Sequence, residues 1–155
     1  MFKREWFKPI SALPSDIIAE LRFWDVAGTE GGTGARTAGI RMVSTRSGNF
    51  VITDSRTGRW SDKGVDQIMK QTATLDGHGT AIREEQEPGS SGKAVIAARA
   101  RSLIGYDYRG IPSTGDKITR ARPLRAQAEV GNVYVLVPQA APPPAWVREF
   151  PDEIE

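Results

Sequence analysis

The sequence predicts an α/β domain: a mixed five-stranded sheet, three antiparallel strands followed by parallel ones, flanked by helices. Two observations carry that expectation. Three extended runs follow one another with short connections, which produces an antiparallel meander. Beyond them helical and extended segments alternate, so the later strands enter through right-handed crossovers and run parallel to a neighbour. In a sheet of that kind, chemistry collects beyond the carboxyl ends of the parallel strands.

The elements are justified in order along the chain. Residues 1–19 read as a lead-in without clear periodicity, punctuated by Pro9 and Pro14. Residues 21–27, Leu-Arg-Phe-Trp-Asp-Val-Ala, form a short apolar run that ends in a glycine-rich loop at 28–34. That pattern is a buried strand. Strands at 37–45 and 49–54 follow, joined by the tight turn Arg46-Ser-Gly-Asn49. Val65, Ile68, Met69, Thr72 and Ala73 then fall at helical spacing, with Ser61 as N-cap and Gly77 as the stop. Residues 80–85 return to strand character. After Pro88-Gly-Ser-Ser-Gly92 a second helix runs to about residue 104, with Ile96, Ala100, Leu103 and Ile104 on one face and Gly105 ending it. Residues 106–111 make a further short strand. A helix at 123–130 has proline in its first turn. Gly131-Asn132 turns into an extended run at 133–137. Pro142-Pro-Pro144 marks an irregular connection before a short helix at 145–150. There is no internal repeat and no composition break, so residues 1–155 read as one domain.

Composition narrows the class. A chain of 155 residues, 39% hydrophobic and 26% charged, buries a core without staples. No run approaches the roughly 18–20 apolar residues of a membrane span, and no apolar stretch follows the charged start as in a secretory signal. Absence of cysteine removes disulfides, thiolate nucleophiles and cysteine-type zinc sites together. A cytoplasmic setting is the expectation. The net charge of +2 is small, but its distribution is uneven. Between Lys93 and Arg125, eight basic residues (Lys93, Arg99, Arg101, Arg109, Lys117, Arg120, Arg122, Arg125) face Asp107 and Asp116, a local excess of six. Such a stretch suits a polyanion such as nucleic acid; an arginine-rich solvated surface is the plainer alternative.

Two acidic groups stand where chemistry is expected. Asp25 lies near the end of the first strand in an otherwise apolar run, where a carboxylate is costly unless paired or holding a cation. Glu84-Glu85-Gln86-Glu87 closes the fourth strand; by alternation Glu85 and Glu87 share one face and Glu84 takes the other. Each has a plain reading, a salt-bridged aspartate and an exposed acidic strand end. Converging from adjacent strands, they would be hard-oxygen ligands for Mg²⁺ or Mn²⁺. Two such ions about 4 Å apart activate water and stabilise the leaving oxygen of a phosphodiester. Other motifs fail. Gly89-Ser-Ser-Gly92-Lys93-Ala94 would need glycine at Glu87 and a hydroxyl at Ala94 to be a P-loop. The 28–34 loop leads into a strand and lacks dinucleotide spacing. His78, the one histidine, sits in a turn with no nucleophile elbow nearby.

Several blocks resemble a known family. Leu21-Arg-Phe-Trp-Asp25-Val-Ala-Gly-Thr29 resembles the first-strand motif of the nuclease domain of phage large terminases, and Glu85-Gln-Glu-Pro-Gly-Ser-Ser-Gly-Lys93 is similar to its fourth-strand motif and helix entry. Thr114-Gly-Asp-Lys117-Ile-Thr-Arg120-Ala-Arg-Pro123, Ala126-Gln-Ala-Glu-Val-Gly-Asn132-Val133 and Trp146-Val-Arg-Glu149-Phe-Pro151 look like its later blocks, in order.

The resemblance implies a ribonuclease H-like fold with a central first strand beside the fourth. It implies an endonuclease that cuts concatemeric double-stranded DNA during genome packaging, using two divalent cations, Mg²⁺ or Mn²⁺. Asp25 matches the first metal-binding aspartate, and the second acid maps to Glu85 or Glu87, with Glu85 slightly favoured. Lys117 and Arg120 match a basic block near the DNA; with Lys93 and Arg122 they are the expected phosphate contacts. Implied partners are duplex DNA and, in a full-length protein, portal and small terminase subunit; the implied location is the cytoplasm of a bacterial host, from a phage or prophage gene. Two features depart from the pattern. The family's ATPase half, with its P-loop, is absent from these residues. Its third acid follows the Phe-Pro segment; here it is expected beyond residue 155, with Asp152 or Glu153 as the alternative within the chain. The rival readings are a DNA-binding or packaging-assembly module without a competent site, and a junction resolvase of the same fold.

Overall fold

The computed structural model describes residues 2–28, 36–139 and 143–148. Its strands are β1 (Lys8–Ile10), β2 (Ile17–Asp25), β3 (Thr37–Thr45), β4 (Phe50–Gly58), β5 (Ala81–Gln86), β6 (Tyr108–Pro112) and β7 (Val133–Leu136). Three helices separate the later ones: α1 (Asp62–Asp76), α2 (Gly89–Ser102) and α3 (Lys117–Glu129). The strands form one sheet in the order β1-β7-β4-β3-β2-β5-β6. The mixed α/β class holds, and β2 is an interior strand beside β5 as expected, but the sheet has seven strands where five were expected. The extended run at 133–137 joins it as β7, and the strand not foreseen is β1, hidden in the lead-in. At three residues it is too short for periodicity to register, and Pro9 argues against a strand. At the edge of a sheet, however, proline's missing N–H is tolerated, and β1 pairs in parallel with β7, Lys8 opposite Tyr134 and Ile10 opposite Leu136.

The chain divides into two compact units. Residues 21–40 and 56–113 make the unit that carries the acidic strand ends. Its core is Trp24, Val65, Met69, Ala73, Ile82 and Leu103, with Ile68, Trp60 and Tyr108 packed against it. Trp24 lies over Gly39, where a Cβ would stand 2.5 Å from the indole, so β3 needs glycine there. The capping reading of α1 holds: Ser61 Oγ accepts from the Gly64 amide at 3.2 Å, and Gly77, at φ +85°, closes the helix. Arg22, 1% exposed, forms a two-pronged pair with Asp76 at 2.8 Å and donates to the Gly39 carbonyl at 3.0 Å.

Helix α2 departs from expectation in start and in face. The Gly-Ser-Ser-Gly segment is its first turn, and Pro88 is the N-cap. Gly92 packs so closely that a Cβ would run into the Glu87 carbonyl. The positions turned inward are Gly92, Ile96, Arg99 and Leu103, spaced 4, 3 and 4 apart. Ala100 is exposed and Ile104 is 85% exposed. The expected apolar face missed because its central inward position is an arginine.

The other unit comprises residues 1–20, 41–55 and 114–155. Val43, Val51, Ile52, Ala128, Val133 and Val135 are its buried apolar residues. β7 pairs in parallel with β4, Phe50 opposite Val133. Asp16 Oδ2 accepts from the Ser47 hydroxyl at 2.8 Å and amide at 3.1 Å, clamping the β3–β4 turn and holding that carboxyl below its ordinary range. α3 begins six residues before the expected helix. Asp116 caps it by accepting from the Thr119 amide and hydroxyl, both at 2.8 Å, and Pro123 lies in its interior rather than its first turn. Residues 145–148 are helical as expected. The remainder of that expected helix, most of the 28–34 loop, Asp152 and Glu153 lie outside the described residues. No helix among the described residues is long and apolar enough to cross a membrane.

Candidate active site

The site is built on the parallel pair β2 and β5. Leu21 stands opposite Ala81 and Trp24 opposite Glu84, so Asp25 and Glu85 follow at the carboxyl ends of neighbouring strands. Strand alternation sends the members of each pair to opposite faces. Trp24 and Glu84 are each 1% exposed on the helix-covered face. Asp25 and Glu85 take the other face and are half-buried, while Glu87, just past the end of β5, is exposed. The structure therefore brings Asp25 and Glu85 to adjacent strand ends and turns the Glu84 carboxylate inward, and Glu84 and Glu85 both line the cavity described below.

Glu84 is the carboxylate whose surroundings are most fully built. Its Oε2 accepts from Arg99 Nε at 3.1 Å and from the Tyr108 hydroxyl at 2.8 Å. Arg99 reaches on to Asp66 Oδ1 at 3.2 Å, which also accepts from Ser102 at 2.7 Å. Lys70 completes the chain at 3.2 Å from Asp66. Burial alone would raise the Asp66 pKa, but the hydroxyl of Ser102, Lys70 and Arg99 outweigh it and hold the carboxyl below its ordinary range. Burial, and then the charge and hydrogen bond of Glu84, push the Tyr108 hydroxyl far above the usual phenol range, so it remains a donor.

A cavity of about 450 Å³ opens at this end of the unit, lined by Val26–Gly28, Glu84–Glu87, Asp62, Asp66 and one side of α2. It gathers Glu85 and Glu87 with two carboxylates the sequence reading left out. Asp62 and Asp66 stand four apart, which puts both on one face of α1; that spacing was the signal to follow. Asp25 does not line this cavity.

Among the described residues no group of three or more histidine, cysteine, aspartate or glutamate side chains is arranged to hold a metal ion. The donor chemistry of Asp25 and Glu85 nevertheless fits a hard divalent cation: carboxylate oxygens at the ends of paired strands. Of the expected phosphate contacts, Lys93 is exposed on α2, in the unit with the acids. Lys117 and Arg122 are exposed and Arg120 half-buried on α3, in the other unit. His78 stacks on Tyr106, ring centroids 4.3 Å apart, with Nδ1 3.1 Å from the Gly105 carbonyl, a structural role.

No family model and no curated sequence relative matches the chain. Solved structures do. A manganese-soaked structure of the human cytomegalovirus terminase nuclease domain is similar over 99% of this chain and 86% of its own, with a TM-score of 0.59 and 10% identity. A second, manganese-soaked and inhibitor-bound, gives 0.59 and 11% identity over 88% of this chain and 76% of that one. The chain is similar in fold to these terminase nuclease domains. At such low identity the fold is what the two share, and it is the ribonuclease H-like α/β arrangement expected above.

Proposed function

We propose that this chain is the nuclease domain of a phage large terminase, a divalent-metal-dependent endonuclease that hydrolyses phosphodiesters of concatemeric double-stranded DNA during packaging. The observation that carries the reading is Asp25 beside Glu85 at the carboxyl ends of paired parallel strands, in a chain similar in fold to terminase nuclease domains. Asp25 and Glu85, with Glu87 as the alternative to Glu85, would hold Mg²⁺ or Mn²⁺. A cation bound there supplies Lewis-acid charge that stabilises the developing negative charge of phosphodiester hydrolysis. The rest is the work of the chain's own residues. The Arg99 and Tyr108 contacts fix Glu84, and with it the end of β5 that presents Glu85. Lys93, Lys117, Arg120 and Arg122 contact phosphates and position the duplex. In this reading the chain works in the cytoplasm of a bacterial host, with portal and small terminase subunit as partners of the full-length protein.

The test is nicking of supercoiled plasmid in Mn²⁺, in Mg²⁺ and in EDTA, with Asp25→Asn and Glu85→Gln beside the wild type. Metal-dependent nicking lost in both variants supports the reading. Nicking that survives Asp25→Asn removes that residue from the site. Absence of cutting by wild type extended beyond residue 155 favours a binding or assembly module instead.

A further inference from the structure

In the unit that holds α3, the N-terminal segment contributes cations of its own. Lys3, Arg4 and Lys8 are exposed, against a single acid, Glu5. Trp6 ties this segment to α3: Lys3 Nζ lies 5.7 Å from its ring centroid and the Arg125 guanidinium 5.8 Å. Lys8 reaches the far end of the same helix, where a Cβ on Gly131 would stand 2.8 Å from its ammonium.

Helix α3 has a face with nothing to bury. Ala128 is its one fully buried residue. At about 100° per residue, Ile118, Arg122 and Arg125 fall within an arc of about 60°, and all three are exposed. Of its acids, Asp116 is occupied in capping Thr119, which leaves Glu129 on that face. Lysine at a helix carboxyl end is favoured by the dipole, and that accounts for Lys8 locally. Lys3 and Arg125 converge on the Trp6 ring, whose π face is the polarisable partner that lets two cations stand on one surface.

We propose that residues 3–8 and the outward face of α3 form a continuous cationic surface that grips the phosphate backbone of duplex DNA. The choice of duplex DNA rests on the function proposed above; the surface itself rests on charge and on the contacts of Trp6. It adds Lys3, Lys8 and Arg125 to Arg122, the expected α3 contact that the helical spacing puts on this face.

The experiment measures binding in EDTA, so that cleavage plays no part. A fluorescein-labelled linear duplex is titrated with wild type, Lys3→Ala/Lys8→Ala, Arg125→Ala and a charge control, Lys63→Ala, across a range of salt. Each lost phosphate contact lowers the slope of log affinity against log salt by about 0.9. The double variant is therefore expected to lose about 2 from the slope and about tenfold in affinity at low salt, with Lys63→Ala unchanged. Lys3→Arg/Lys8→Arg should bind as wild type. An unchanged slope in the alanine variants, or an equal loss in the Lys63→Ala control, overturns the surface. Circular dichroism of each variant separates lost contacts from lost fold. A surface that binds while Asp25→Asn still cuts would leave this inference standing and sink the active-site assignment; the reverse result would do the opposite.

Discussion

Truncating Arg99 to alanine should be among the most damaging changes to the unit that carries the acidic strand ends. The guanidinium is the centre of a buried network, its side chain 9% exposed and that of Glu84 2% exposed. Without it, Glu84 keeps the Tyr108 hydroxyl as donor, and Asp66 keeps Ser102 and Lys70. Breaking a buried pair from one side costs about 3–5 kcal/mol, because the remaining charge is left uncompensated. Against a domain stability of about 5–15 kcal/mol that is a large fraction. With a urea m-value of about 2 kcal/mol per molar, the midpoint should fall by about 2 M. Urea unfolding followed by tryptophan fluorescence and by circular dichroism reads it directly. The sharper test is the cycle with Glu84→Gln. If the cost is an orphaned charge, Glu84→Gln in the Arg99→Ala background should recover much of the loss, and the two changes should couple by more than about 1 kcal/mol. A midpoint within about 0.5 M of wild type, or strictly additive effects, would refute the argument.

Four smaller expectations follow from the same geometry. Tyr108→Phe removes a hydrogen bond to a carboxylate and should cost about 1.5–3 kcal/mol in the same assay. Gly39→Ala drives a methyl into the Trp24 ring, which β3 cannot avoid, and should cost about 1–3 kcal/mol. Ser61→Ala should cost about 0.5–2 kcal/mol and increase amide exchange in the first turn of α1. Asp66, held below the ordinary value of 3.8, contributes stability that is complete above its unfolded pKa and is lost as pH falls through its lower folded value. Thermal melts from pH 6 down to 2 should show that acid slope, and it should be shallower in Asp66→Asn.

How much of this was legible in the sequence depends on the length of the signal. Strand β3 was placed correctly at 37–45 because it runs for nine residues into the Arg46-Ser-Gly-Asn49 turn, with a two-residue burial period broken only at Arg41. Helix α1 was read from both of its ends, since the cap at Ser61 and the glycine at 77 are chemical signals independent of periodicity. β1 failed for the opposite reason: three residues, one of them proline, carry no period. α3 was entered six residues late because Pro123 is the stronger local signal, while the Asp116 cap lies in a polar stretch with no apolar face behind it. For the candidate site, Asp25 was singled out as a charge in an apolar run and the Glu85/Glu87 pair as acids closing a strand. Asp62 and Asp66 were passed over because acids near a helix N-terminus already have a sufficient explanation in the helix dipole.

The misread face of α2 and the inward turn of Glu84 have one cause. Periodicity treats an inward arginine as a break in the pattern, so Ile96 and Leu103 lacked their central partner and the neighbouring face was chosen. Yet an arginine can turn inward only if its charge is met, and Glu84 meets it from the adjacent strand. Adjacent residues on a strand take opposite faces, so a carboxylate at 84 committed to Arg99 leaves the carboxylate at 85 on the face of Asp25. Arg99 and Glu84 thus hold the end of β5 where its next residue stands at the end of β2. If Asp25 and Glu85 hold a cation as proposed, a change at either should weaken its binding while touching neither. Isothermal titration with Mn²⁺ should show weaker binding in Arg99→Met/Glu84→Leu, a pair that removes both charges and keeps the apolar volume. Affinity equal to wild type in that folded double variant would mean that the buried pair serves stability alone.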